Sequence, residues 1–120
     1  MSPTQRSLKH LRNGGLIAQV VEHWQAFSRR RIDLFSVIDI VALDISNGRT
    51  LGIQTTSGAS VSARINKIYA EPNARAWLQA GNRLIVHGWA KRGARGKRKL
   101  WSVREVEIVL DGEALIAKED

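Results

Sequence analysis

The sequence predicts an α/β (α+β) fold in which helices pack on one mixed sheet. Three observations carry this: apolar residues recur at helical spacing in two stretches, two β-branched runs flank a Ser46-Asn47-Gly48-Arg49 turn, and two further extended runs bracket a basic loop. The predicted order is a helix, a three-strand meander, helices, then two more strands. With 120 residues and 43% apolar content, the chain is sized for one domain around one core, placed at about residues 16–110.

Ser7 can cap a short helix from Leu8, which Asn13-Gly14-Gly15 would end. A longer helix is predicted over 16–28, because Ile17, Val20, Val21 and Trp24 follow the i, i+3, i+4, i+7 rule and Phe27 continues the stripe. Arg29, Arg30 and Arg31 would then sit favourably at its C-terminal dipole. Residues 32–43 are largely aliphatic and read as extended chain with a turn or bulge at Phe35-Ser36, so that 37–43 is a strand buried on both faces. The Asn47-Gly48 hairpin leads to a strand over 50–56, where alternation turns Gln54 and Thr56 to the same side.

Ser57-Gly-Ala-Ser60 opens a helix to about Tyr69, with Val61, Ile65 and Ile68 inward and Arg64 and Lys67 together on another side. Pro72 starts the next helix and Gly81 ends it. Residues 82–89 and 100–110 form an antiparallel pair, the second with imperfect alternation that suggests a bulge. Residues 111–120 read as a weakly docked tail. Trp24 and Trp77 are expected in the core, and Trp89 and Trp101 flank the basic loop.

Composition narrows the chemistry. The formal charge is +8, which favours a polyanionic partner through counterion release. Cysteine is absent and His10, His23 and His87 have no familiar ligand spacing, so disulfides and thiolate zinc sites are excluded and a metal would be held mainly by oxygen. No apolar run is long enough to span a bilayer and no signal-peptide pattern opens the chain. The expectation is a soluble cytoplasmic protein with no membrane partner.

The most informative residues are Asp39, inside an aliphatic strand, and Gln54, fifteen positions later on the next. A carboxylate in such a strand is costly unless a cation or hydrogen bonds compensate it. A hard divalent ion such as Mg²⁺ takes one or two carboxylates with waters and phosphate oxygens, which makes Asp39 the first candidate ligand. Gln54 could add its amide oxygen and Glu22 a second charge. Asp33, six residues before Asp39, could be folded back onto it by the Phe35-Ser36 bend, or could pair with Arg31 and act in support.

Val21-Glu22, Arg31-Ile-Asp33-Leu-Phe, Ile38-Asp39-Ile-Val-Ala-Leu, Ile53-Gln54-Thr-Thr-Ser and Arg64-Ile-Asn-Lys67-Ile together resemble, in order and spacing, the compact PD-(D/E)XK nucleases, including Holliday-junction resolvase-like members found in phages. The resemblance spans about residues 16–108 and implies a restriction-endonuclease-like core. It implies that Glu22 matches the helix glutamate, Asp39 the central metal-binding aspartate and Gln54 the second acid. Thr56 stands where the family has a lysine, and a hydroxyl cannot supply that cation; Lys67, or secondly Arg64, on the following helix would replace it.

Lys91, Arg92, Arg95, Lys97, Arg98 and Lys99 form a nine-residue loop with no acid, and its glycines let it follow a phosphate backbone. The expected function is therefore a DNA endonuclease using Mg²⁺ or Mn²⁺, held by Glu22, Asp39, Gln54 and the carbonyl of Thr55. Lys67 would offset charge, and the loop with Arg29, Arg30 and Arg31 would grip DNA. A homodimer would let so small a protein act on two strands. The competing expectations are a non-catalytic DNA-binding module on the same fold, and an RNA-directed role.

Overall fold

The computed structural model describes residues 1–119. Helix α1 (Pro3–Asn13) begins where Ser2 accepts a hydrogen bond from the Gln5 amide and Pro3 occupies the first turn, five residues earlier than the Ser7 cap predicts. His10 and Arg12 lie in its last turn, and Gly15 at φ 89° turns the chain away.

Residues 16–28 are not helical. They form β1 (Ile17–Val20) and β2 (His23–Gln25). The apparent helical stripe is rich in β-branched residues, and an available partner decides the matter: β1 pairs antiparallel with β4 (Ile40–Asp44), from Ile17↔Leu43 to Val20↔Ile40. Ala18 is buried while Ile17 is exposed, which is a strand's alternation. β2 pairs with β3 (Arg30–Ile32) in a separate two-stranded hairpin, which leaves Trp24 of β2 and Phe27 of its turn exposed. Trp24 therefore does not join the core; Trp77 does pack against it.

The expected bend is present: Phe35 and Ser36 adopt φ of 52° and 68°, and Leu34 bridges to Ile38 across it. After β4, β5 (Arg49–Ser57) follows a turn in which Gly48 has φ 64°. A single 3₁₀ turn (Gly58–Ser60), α2 (Val61–Ala70) and α3 (Pro72–Gln79) carry the chain over the sheet to β6 (Arg83–Arg92), which runs parallel to β5. A parallel neighbour needs such a crossover, since a tight hairpin joins only antiparallel strands.

β7 (Leu100–Asp111) returns antiparallel with an unbroken register from Leu84↔Ile108 to Arg92↔Leu100, so the expected bulge is absent. The expected tail at 111–120 instead contributes β8 (Ala114–Lys118), paired with β7. Leu115 packs against the core and so draws this segment onto the sheet.

The result is a mixed six-stranded sheet in the order β1-β4-β5-β6-β7-β8 with three helices. The mixed α/β (α+β) class is as expected, but the order differs: the helix expected over 16–28 is replaced by β1 and β2, the first extended run from 32 gives only the end of β3 and the Leu34–Ile38 bridge, and β8 is added. Alternation divides the expected single core between the two faces. Leu8 and Leu11 of α1 pack with Ala18, Ile40, Ala42, Leu51 and Ile53, while α2 and α3 cover Val37, Ile38, Leu84, Val86, Val106 and Ile108. At Gly88 on the latter face, an added Cβ would clash with Val61 Cγ2, so α2 approaches β6 as closely as glycine alone permits.

Candidate functional site: a three-carboxylate cleft

Asp39 sits immediately before β4 and is held on both sides by backbone hydrogen bonds. Its N–H donates to Ile53 O at 2.8 Å, and its carbonyl accepts from Val21 N at 2.8 Å. The second bond carries the chain past β1 and sets Glu22 beside it. Thus Glu22 reaches the site from a strand end, although the sequence suggests a helix.

The Asp39 carboxylate is buried, and three donors meet one of its oxygens. Gln54 Nε2 and Thr55 N each lie 2.8 Å from Oδ2, and Thr55 Oγ1 lies at 3.1 Å. Such bonds fix the plane of the group. They leave Oδ1 clear of that cradle. Thr4 Oγ1 of α1 contacts Thr55 Oγ1 at 2.8 Å, tying the helix start to the same network.

The left-handed bend at Phe35-Ser36 folds Asp33 back toward Asp39. Burial, followed by the proximity of Asp39, raises the Asp33 carboxyl from 3.8 to about 6. Glu22, Asp33 and Asp39 each offer one oxygen, and these lie within 4.8 Å of one another. Lys67 Nζ on α2 stands 3.6 Å from Asp33 Oδ2, and Arg31 Nη1 stands 3.8 Å from Glu22 Oε1. Asp33 thus pairs with Lys67, and Arg31 pairs with Glu22.

These groups line a cleft of about 1000 Å³, together with Thr55, Thr56, Arg30, Arg64 and the first residues of α1. Gln54 does not line it. Its side chain is fully buried behind Asp39, and its Oε1 has no hydrogen-bond partner among the described residues. Arg29 lies outside the cleft lining, at the turn between β2 and β3. Lys91, Arg92, Arg95, Lys97, Arg98 and Lys99 are exposed at the far end of the β6–β7 hairpin, also outside the lining.

Sequence reasoning missed Ser2, Thr4 and Gln5, which border the cleft. The Ser2-Pro3 pair was a usable signal, being an N-cap followed by a favoured first helical residue.

Three clustered carboxylates repel one another, and the two nearby cations are long, partly exposed side chains. A hard divalent cation with oxygen ligands would offset both the burial of the Asp33 carboxylate, the main cause of its raised value, and the repulsion from Asp39, so the donor set fits Mg²⁺ or Mn²⁺. Glu22, Asp33 and Asp39 are the residues that would hold it. Comparison with family models, curated proteins and solved structures gives no match to this chain.

Proposed function

We propose that the protein is a metal-dependent phosphodiester hydrolase acting on DNA. The observation that carries this reading is the convergence of Glu22, Asp33 and Asp39 in a cleft that Lys67 also reaches. Bound Mg²⁺ or Mn²⁺ would supply Lewis acidity and lower the pKa of a bound water. The remaining chemistry belongs to the chain. Asp39, fixed by Gln54 and Thr55, presents its free oxygen in an orientation that needs no rearrangement at the moment of reaction. Lys67 reaches the acids from α2 and supplies the cation that the Thr56 hydroxyl lacks, offsetting negative charge as the phosphate is attacked. Arg30 and Arg64 border the cleft and suit the flanking phosphates.

The +8 charge and the acid-free loop 91–99 support a polyanionic substrate gripped through its backbone. A homodimer acting on paired strands or a junction is consistent with the small size of the domain. No described helix is long and apolar enough to cross a membrane.

A second reading has its own support: Lys67 and Arg31 are already paired with Asp33 and Glu22, as they would be in a module that binds DNA without cutting it. Incubation with plasmid, linear, single-stranded and four-way-junction DNA, in Mg²⁺, Mn²⁺ or EDTA, decides between them. Cutting by the wild type that needs metal and is lost in Asp39→Asn supports hydrolysis; tight binding with no product under any metal supports the module. A matched RNA set tests the sugar.

A further inference from the structure

On the other side of the start of α1 lies a second hollow, of about 340 Å³, walled by Trp89, Trp101 and His10 and rimmed by Arg6 and Lys9. Its floor is built rigidly. Trp89 is buried and donates from Nε1 to Ser7 Oγ at 2.8 Å, and the same hydroxyl lies 2.8 Å from His87 Nδ1. The His10 ring stands edge-on to both Trp89 and His87, with centroids 5.9 Å apart in each case. His10 Nε2 and His87 Nε2 approach Glu105 at 3.6 and 3.0 Å, so a carboxylate behind the wall positions the rings.

Trp101 is different. It is 48% exposed at the mouth, opposite Lys91 in the β6–β7 ladder, with the Arg6 guanidinium carbon 3.7 Å from its ring centroid. Among the described residues, no carboxylate lines the hollow itself. An aromatic surface in a cationic rim, with no anion, complements a ligand that joins a flat π-face to a phosphate.

We infer that this hollow docks an unpaired nucleotide of the substrate strand, its base taking the place of the Arg6 guanidinium over the Trp101 ring and its phosphate held by the displaced Arg6 with Lys9 and Lys91. Stacking on an indole favours any base, and the flanking cations follow the backbone. Position makes the link to catalysis: Thr4 and Gln5 border the acidic cleft while Arg6 and Lys9 border this hollow. Both sets lie within the first two turns of α1, on different sides of it. This deepens the proposed function and rests on it, by assigning the substrate class as DNA whose strand is unpaired beside the cleavage position.

The test is fluorescence anisotropy with the full chain in EDTA, using a blunt duplex and the same duplex carrying a short single-stranded extension. The extended duplex should bind about tenfold tighter, within the range that stacking one base supplies. Trp101→Ala should erase that preference, read as the ratio of the two affinities, and Trp101→Phe should retain most of it. A preference that survives Trp101→Ala, or equal binding of both duplexes by the wild type, would overturn the assignment. Cleavage in Mn²⁺ is scored separately. A protein that never cuts yet shows the Trp101-dependent preference disproves the hydrolytic reading and leaves the docking site standing; one that cuts without the preference does the reverse.

Discussion

Gln54 donates Nε2 to Asp39 Oδ2 at 2.8 Å from a side chain with no solvent exposure, while its own Oε1 lacks a partner among the described residues. The donor is what Asp39 uses. A glutamate here would set acceptor against acceptor and bury a further charge, which costs about 3 kcal/mol when unpaired. Gln54→Glu should therefore melt well below wild type in EDTA and regain more of its stability on adding Mn²⁺. Equal melting of the two proteins in EDTA would show that the amide nitrogen is dispensable.

Asp33 predicts a pH dependence whose sign is opposite to that of an ordinary salt-bridged carboxylate. Its folded value of about 6 lies above the ordinary aspartate value of 3.8, so the folded chain holds the proton more tightly than the unfolded one. The stability this brings is present below pH 3.8 and is lost as pH rises to about 6. Asp33→Asn, which cannot ionise, should match wild type near pH 4. Above pH 6 it should exceed wild type by about 1–2 kcal/mol, allowing for solvent screening. Metal-free denaturant titrations across this range would check it, and a gap that does not widen with pH would refute it.

Ser7 supports two buried nitrogens at once, Trp89 Nε1 and His87 Nδ1. Ser7→Ala leaves both without that oxygen, and the expected loss is about 2–4 kcal/mol, the sum of two modest desolvation penalties. Urea unfolding would measure this. A loss below about 0.5 kcal/mol, the size of an ordinary surface substitution, would mean that the hydroxyl does not hold the wall together.

Gly88 sets the distance between β6 and α2, and α2 carries Lys67. Gly88→Ala should destabilise by about 1–3 kcal/mol, because its methyl would meet Val61 Cγ2. Adding Val61→Ala removes the opposing methyls, so the double variant should be less destabilised than the two single losses added together. Simple additivity in thermal melts would argue against the contact.

Local chemistry was enough for much of this protein. The Asn47-Gly48 turn, the Pro72 and Gly81 boundaries of α3, the bend at Phe35-Ser36 and the strands holding Gln54 and Leu84 follow from turn residues, proline, glycine and β-branched runs. Those signals act within a few residues. The segment 16–28 was misread because Ile17, Val20, Val21 and Trp24 satisfy a helical spacing and a strand's composition equally. Only the open edge of β4 decides for the strand, by pairing backbone groups that a helix would have satisfied internally. β8 depends in the same way on the edge of β7.

The site divides along the same line. Asp39 stands out in sequence because a carboxylate in an aliphatic strand needs compensation, and the sequence alone determined that some group must provide it. Which groups do so was settled by long-range geometry. Gln54 turns its nitrogen to the acid, Asp33 arrives through a left-handed turn, Glu22 is placed by the bond from Val21 to Asp39, and Lys67 crosses from α2. A sequence determines what must be compensated, because that follows from each residue's own polarity and neighbours. Tertiary structure decides what compensates it, because hydrogen bonds and charges act through a few ångströms of space, whatever the separation along the chain.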